Sequence, residues 1–130
     1  MKLSELKPGD WVIVNDEGVE REGTIVRTRA EEENEICVDN GIQEFWYSRD
    51  QVRGIPLNEE QLMRLGFEKM ESETGAKYGK SVFRIVVPAA NDFSSIELWY
   101  REDRRQFDHP IFVHELQNVH LQMTKMPLEV

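Results

Sequence analysis

The chain has 130 residues, 16 Lys/Arg against 25 Asp/Glu and a net charge of −9, with 39% apolar residues, enough for one domain or two small units sharing a core. Up to residue 56 there are 7 Lys/Arg against 13 Asp/Glu, and beyond it 9 against 12, so neither half is basic. That balance argues against a broad phosphate-tracking surface, because nucleic-acid affinity rests on cations that neutralise phosphates.

The single Cys37 excludes an intrachain disulfide and a Cys-pair zinc site within one chain. In the strand-like run EICVDN it reads as a buried, inert thiol. The opening MKLSELKPGD has no apolar leader core, and no stretch approaches the roughly 18 apolar residues of a membrane span. The expectation is a soluble cytoplasmic protein without membrane partners.

In chain order, PGD predicts a turn and WVIVN a strand. NDEG turns the chain into a second strand, EGTIVRTRA, and Glu31–Glu33 read as a solvated hairpin tip. EICV is a third strand. DNG supplies residues that tolerate positive φ, a strong hairpin signal, before a fourth strand in QEFWYS. SRDQ predicts a short helical turn and VRGIPL a fifth strand.

Five such short strands predict a small SH3-like β-barrel over residues 1–55, since closure protects edges that short strands leave open. Alternation puts Trp11 and Ile13 on one face of the first strand and Val12 and Val14 on the other. Both faces are apolar, so one must be covered from outside the barrel, and the C-terminal part of the chain is the candidate.

The remainder, 56–130, reads as an α+β unit packed against the barrel. PLNEEQLMRLGFEK is a helix with Asn58 as N-cap, Gln61 completing a capping-box pattern, Leu62 and Leu65 on its apolar stripe and Gly66 as terminator. ESETGAKYGK reads as a polar loop or hairpin end. SVFRIVV and SIELWY pair as an antiparallel hairpin; setting Val87 opposite Ser94 would place Arg84 against Glu97. REDRRQFDHP reads as a charged loop before the closing helix.

That helix, FVHELQNVHLQMTKMPLEV, carries His114–Glu115 and His120. Six residues turn a helix by about 600°, leaving the two imidazoles roughly 120° apart in azimuth and about 9 Å apart in rise, so they cannot share a zinc ion. Phe112, Leu116, Val119, Met123 and Met126 recur as one apolar face. His120 flanks it as a boundary histidine, and His114, Gln117, Asn118 and Leu121 form a second, mixed face, a candidate interface that includes homodimer contact.

GAKYGKS, Gly75 to Ser81, has three residues between its glycines where a nucleotide loop needs four, and it precedes a strand where that loop opens a helix. No G-x-S-x-G motif, EF-hand spacing or oriented nucleophile–base pair marks catalysis. No catalytic, cofactor-binding or metal residues are assigned, and no cofactor is expected. An enzyme site would have to assemble from His109, His114 or Cys37 with distant acids. Trp11 and Trp46 are candidates for a peptide or cation groove, and Arg101, Arg104 and Arg105 for a local nucleic-acid patch.

IPLNEEQLMRLGFEK, followed about fifty residues later by FVHELQNVHLQMTKMPLEV, resembles a family of short uncharacterised proteins of Bacteroides-type bacteria and their phages. Its members carry IPLTEEWLLKLGF-like and VHQLQNLYFALTG-like segments. The likeness covers both helices, with the intervening strands matching by pattern, and departs at His120 and at Lys125–Pro127. It implies a phage or mobile-element setting and no particular activity. The sequence reading is therefore an α+β protein acting as a non-enzymatic binding or adaptor module with a protein partner, the alternatives being a nucleic-acid-associated protein and an enzyme.

Overall fold

The structure is a computed structural model that describes residues 5–29 and 35–129. The expected acidic tip at Glu31–Glu33 lies outside the described residues. The protein is α+β: two antiparallel sheets with two α-helices among the described residues.

The chain divides into two compact units. The first takes in the chain to Ile55 and Val113–Val119; the second takes in Pro56–Phe112 and His120–Leu128.

The first unit holds β1 (Trp11–Asp16), β2 (Val19–Arg29), β3 (Glu35–Asp39), β4 (Glu44–Ser48) and β5 (Val52–Gly54). Glu17 and Gly18, both at positive φ (52° and 87°), make the tight β1–β2 turn, whose twist matches that of the strands it joins. In the β3–β4 loop Asn40 fixes the bend: its Oδ1 accepts from the Ile42 and Gln43 amides, and its Nδ2 donates to Tyr47 Oη. SRDQ forms the expected helical turn, a 3-10 turn at Arg49–Gln51.

The strands run β4-β3-β2-β1-β5, an open sheet with β4 and β5 at its edges rather than the closed barrel expected. The irregularity in β2 between Ile25 and Arg27 shifts the register by one residue. Ile25 therefore stays on the core face while Arg27 turns to the other. Val12, Val14, Ile25, Ile36, Val38, Tyr47 and Val52 form the core face, joined by Leu6.

The second unit's sheet runs β10-β9-β8-β7-β6. Its strands are β6 (Glu68–Met70), β7 (Ala76–Lys80), β8 (Phe83–Val87), β9 (Ile96–Tyr100) and β10 (Asp103–Phe107). Helix α1 is shorter than the sequence suggests, Glu59–Arg64. Asn58 caps it by accepting from the Gln61 amide, and Gly66, at φ 92°, ends it.

Residues expected at the end of that helix form β6, the supposed loop at 76–80 forms β7, and REDRRQFDHP supplies β10. Charged residues fit these strands because one face of the sheet is open to water, so alternation and not mean hydropathy is the signal. The β8–β9 hairpin exists, but its register is two residues from that expected: Arg84 lies opposite Trp99, and Val86 opposite Glu97. Phe83, Ile85, Val87, Ile96 and Leu98 are buried on the inner face with Leu62, Leu65 and Phe67. Phe67 meets Phe83 edge-on at 6.0 Å.

Helix α2 spans Val113–Thr124. Phe112 and Met126 lie outside it and are exposed, so the apolar stripe read from the sequence is displaced. Val113, Leu116 and Met123 are buried, and so are His114, Gln117 and His120. Gln117 and His120 occupy interior positions because each bonds backbone, which a hydropathy count cannot register.

Candidate functional site

Each proposed site residue has a definite place. Trp11 and Trp46 share one face of the first sheet but belong to β1 and β4, with β2 and β3 between them. Trp11 is only 3% exposed, and its amide donates to Gln117 Oε1 at 2.8 Å. The side chain expected to line a groove is thus buried, and the C-terminal helix meets this strand as the two apolar faces of β1 require. Trp46 is half-buried beneath two guanidinium groups, Arg29 at 4.4 Å and Arg27 at 5.5 Å from its ring centroid. These two tryptophans therefore form no shared groove.

The mixed face of α2 is also not an exposed interface. Gln117 is fully buried; it accepts from the Trp11 amide and donates through Nε2 to the Gly9 carbonyl at 2.9 Å. Asn118 donates to the Glu5 carbonyl at 2.6 Å, and Leu121 is half-buried. His114 is 1% exposed. Burial holds its pKa below the ordinary value despite the attraction of Asp10, Glu115 and Glu5. Asp10, fully buried, shows the complementary effect: burial raises its pKa, opposed by hydrogen bonds from the Lys7 amide and Nζ. Homodimer contact through this face would need His114, Gln117 and Asn118, which are already committed inside the first unit.

His120 packs against the Phe83 ring at 4.7 Å, and its Nδ1–H donates to the Met126 carbonyl at 2.9 Å. It helps close the end of α2, where Lys125 turns to φ 64°. Among the described residues no group of three His, Cys, Asp or Glu side chains is placed to hold a metal ion. Cys37 is buried in the first unit, while His109 is exposed in the second with Nδ1 on the Pro110 carbonyl.

The arginine patch divides. Arg105 bonds Gln122 Oε1 at 2.8 Å and pairs in register with buried Leu98, so it belongs to the inner side of the sheet. Arg104 pairs with Trp99 on the outer face, its guanidinium 5.2 Å from the indole centroid. Arg101 sits in the β9–β10 turn at φ 57°, over the Tyr100 ring at 5.3 Å.

Register brings further residues to that outer face. Lys77 lies opposite Val86, and Arg84 opposite Trp99. Together with Val82 they line an open groove of about 450 Å³ formed by Lys77, Val82, Arg84, Val86, Trp99 and Arg101. The lining holds three cations and no carboxylate, in a chain of net charge −9. Glu97, opposite Val86, is held by Arg104 at 2.5 Å. Trp99 is 37% exposed and Val82 49%.

Sequence reasoning missed Trp99, Arg84 and Lys77. The legible signal was alternation in SIELWY, which sets Glu97 and Trp99 on the face opposite Leu98. Membership of one groove, however, depends on the register of three strands.

A scan of protein-family models found no match to this chain, and searches of curated proteins and of solved structures found none either. No helix among the described residues is long and apolar enough to cross a membrane.

Proposed function

We propose that the protein is a non-enzymatic binding module of adaptor type, and that it recognises its ligand on the outer face of the second unit's sheet. One observation carries this reading: an exposed indole, Trp99, lines an open groove with Val82, Val86 and the cations Lys77, Arg84 and Arg101, with no acid in the lining. Guanidinium and ammonium groups keep their charge at any physiological pH, so they hold a ligand rather than exchange protons with it. None of the side chains whose environments perturb titration, Asp10, Glu59, Tyr78, Asp92 and His114, lines this groove.

The first unit is the scaffold. Its meander of short antiparallel strands, with a 3-10 turn before the last, supports an SH3-like reading in which the sheet is left open. The helix segments that resemble the Bacteroides and phage family add a mobile-element setting to the proposal.

The test is affinity capture from a bacterial lysate with the immobilised chain and with its Lys77→Glu/Arg101→Glu variant. The variant should lose the species retained by the parent. Identical retained sets from both would refute this face as the recognition surface.

A further inference from the structure

We propose that the ligand of the Trp99 groove is single-stranded nucleic acid. The inference rests on the binding-module reading and adds the ligand class. The groove offers two kinds of contact at once. One is a flat aromatic wall beside Val82 and Val86, which suits the π-face of a base. The other is a set of fixed cations at the rim, which suits the phosphates joining successive bases.

The two sides of the indole are unequal. Arg104, on β10, stacks against Trp99, whereas Arg84, across on β8, turns its Nη1 to the Ser81 and Phe83 carbonyls. The groove lies on this β8 side, lined also by Val82 and Val86, where a base can lie against the exposed part of the indole.

The three lining cations step diagonally over the sheet, from Lys77 on β7 through Arg84 on β8 to Arg101 in the β9–β10 turn. A diagonal track of three cations suits a polymer better than a single nucleotide. The groove is open, so a lone nucleotide would be covered on few sides. Duplex nucleic acid presents its bases edge-on and stacked, so it cannot place one against Trp99 without unpairing.

Backbone geometry adds an independent point. The turns β7–β8 and β9–β10 close the same end of the sheet, and each puts a non-glycine residue at positive φ, Ser81 at 56° and Arg101 at 57°. Glycine or asparagine would adopt that conformation at lower cost. An arginine held there brings its charge to the rim of the groove.

The experiment is fluorescence anisotropy of the full chain with a labelled twelve-nucleotide oligo-dT, the matching duplex and a labelled oligo-glutamate peptide, at 50 and 200 mM salt. The single strand should bind at least about tenfold more tightly than the duplex. Three neutralised phosphates give a salt slope near −2, so affinity should fall by about 20-fold between the two salt concentrations. Trp99→Ala should weaken binding by about tenfold or more, and Trp99→Phe should keep most of it, because a phenyl ring still stacks. Lys77→Glu supplies a second, conservatively placed test should Trp99→Ala melt early. Absence of single-strand binding at 50 mM salt, or binding indifferent to both Trp99→Ala and Lys77→Glu, overturns the proposal. Oligo-glutamate binding that depends on Trp99, without single-strand binding, overturns the ligand class while sparing the binding-module reading. If no ligand engages the face and lysate capture is also unchanged by mutation, both readings fall.

Discussion

Replacing Gln117 by leucine tests how the C-terminal helix is tied to the first strand. The two side chains are close in volume, so packing around the site is largely kept. What changes is hydrogen bonding: the Trp11 amide loses its acceptor at 2.8 Å and the Gly9 carbonyl its donor at 2.9 Å, at a residue with 0% exposure. Each buried backbone group left unmatched costs about 1–3 kcal/mol, and leucine recovers a little through apolar burial, so the net loss is about 3–4 kcal/mol. A domain of ordinary stability has only about 5–15 kcal/mol in total, so the effect will be large. Urea denaturation followed by circular dichroism measures it, with Gln122→Leu as the control. Gln122 is exposed, bonds Arg105 on the surface, and should change stability by less than about 0.5 kcal/mol. A Gln117→Leu protein within about 0.5 kcal/mol of the parent would show that these two bonds do not hold the helix to the strand.

Three further outcomes are expected. Tyr78 is buried and donates to Glu59, which together push its pKa up to about 12 from 10.0. The folded state thus keeps a proton that the unfolded state loses. Stability from this group is complete below pH 10 and lost as pH rises towards about 12. The Tyr78→Phe protein should lack this alkaline component in urea titrations; an identical alkaline profile would count against it. His114 has the opposite sign, because burial lowers its pKa: the unfolded chain takes up a proton near pH 6.5 before the folded one does. Stability from His114 is therefore present above that pH and declines as pH falls through the folded value. Proton NMR titration of the His114 ring should give a midpoint below 6.5, and a midpoint at or above it would refute burial as the dominant cause. Finally, Asn58→Ala removes the acceptor of the Gln61 amide at 2.9 Å and should cost about 1 kcal/mol, read from the urea midpoint; Asn58→Asp, which keeps an acceptor, should retain most of it.

Features that depend only on neighbours along the chain were legible before folding. Glu17–Gly18 and Asn40–Gly41 marked turns because few residues adopt positive φ cheaply. Asn58 and Gly66 marked the ends of α1, since capping is local chemistry. The five N-terminal strands and the two helices were legible from turn signals, caps and periodicity together, and the incompatibility of His114 and His120 with one zinc ion from helix geometry.

Features that depend on distant partners were not. The sequence reading places Gln117 on a mixed face, a candidate interface, and the fold buries it, because its amide matches two backbone groups more than a hundred residues away in the chain. Nothing local distinguishes such a glutamine from a solvated one. Likewise REDRRQFDHP looks like a loop until β9 pairs with it, and the Arg101–Arg104–Arg105 cluster looks continuous until strand alternation sends Arg105 to the other side. Trp99, Arg84 and Lys77 became neighbours only through the pairing of β7, β8 and β9. Register is set by packing of the buried inner face, by Phe83, Ile85 and Leu98, and the outer face inherits whatever alignment that core requires.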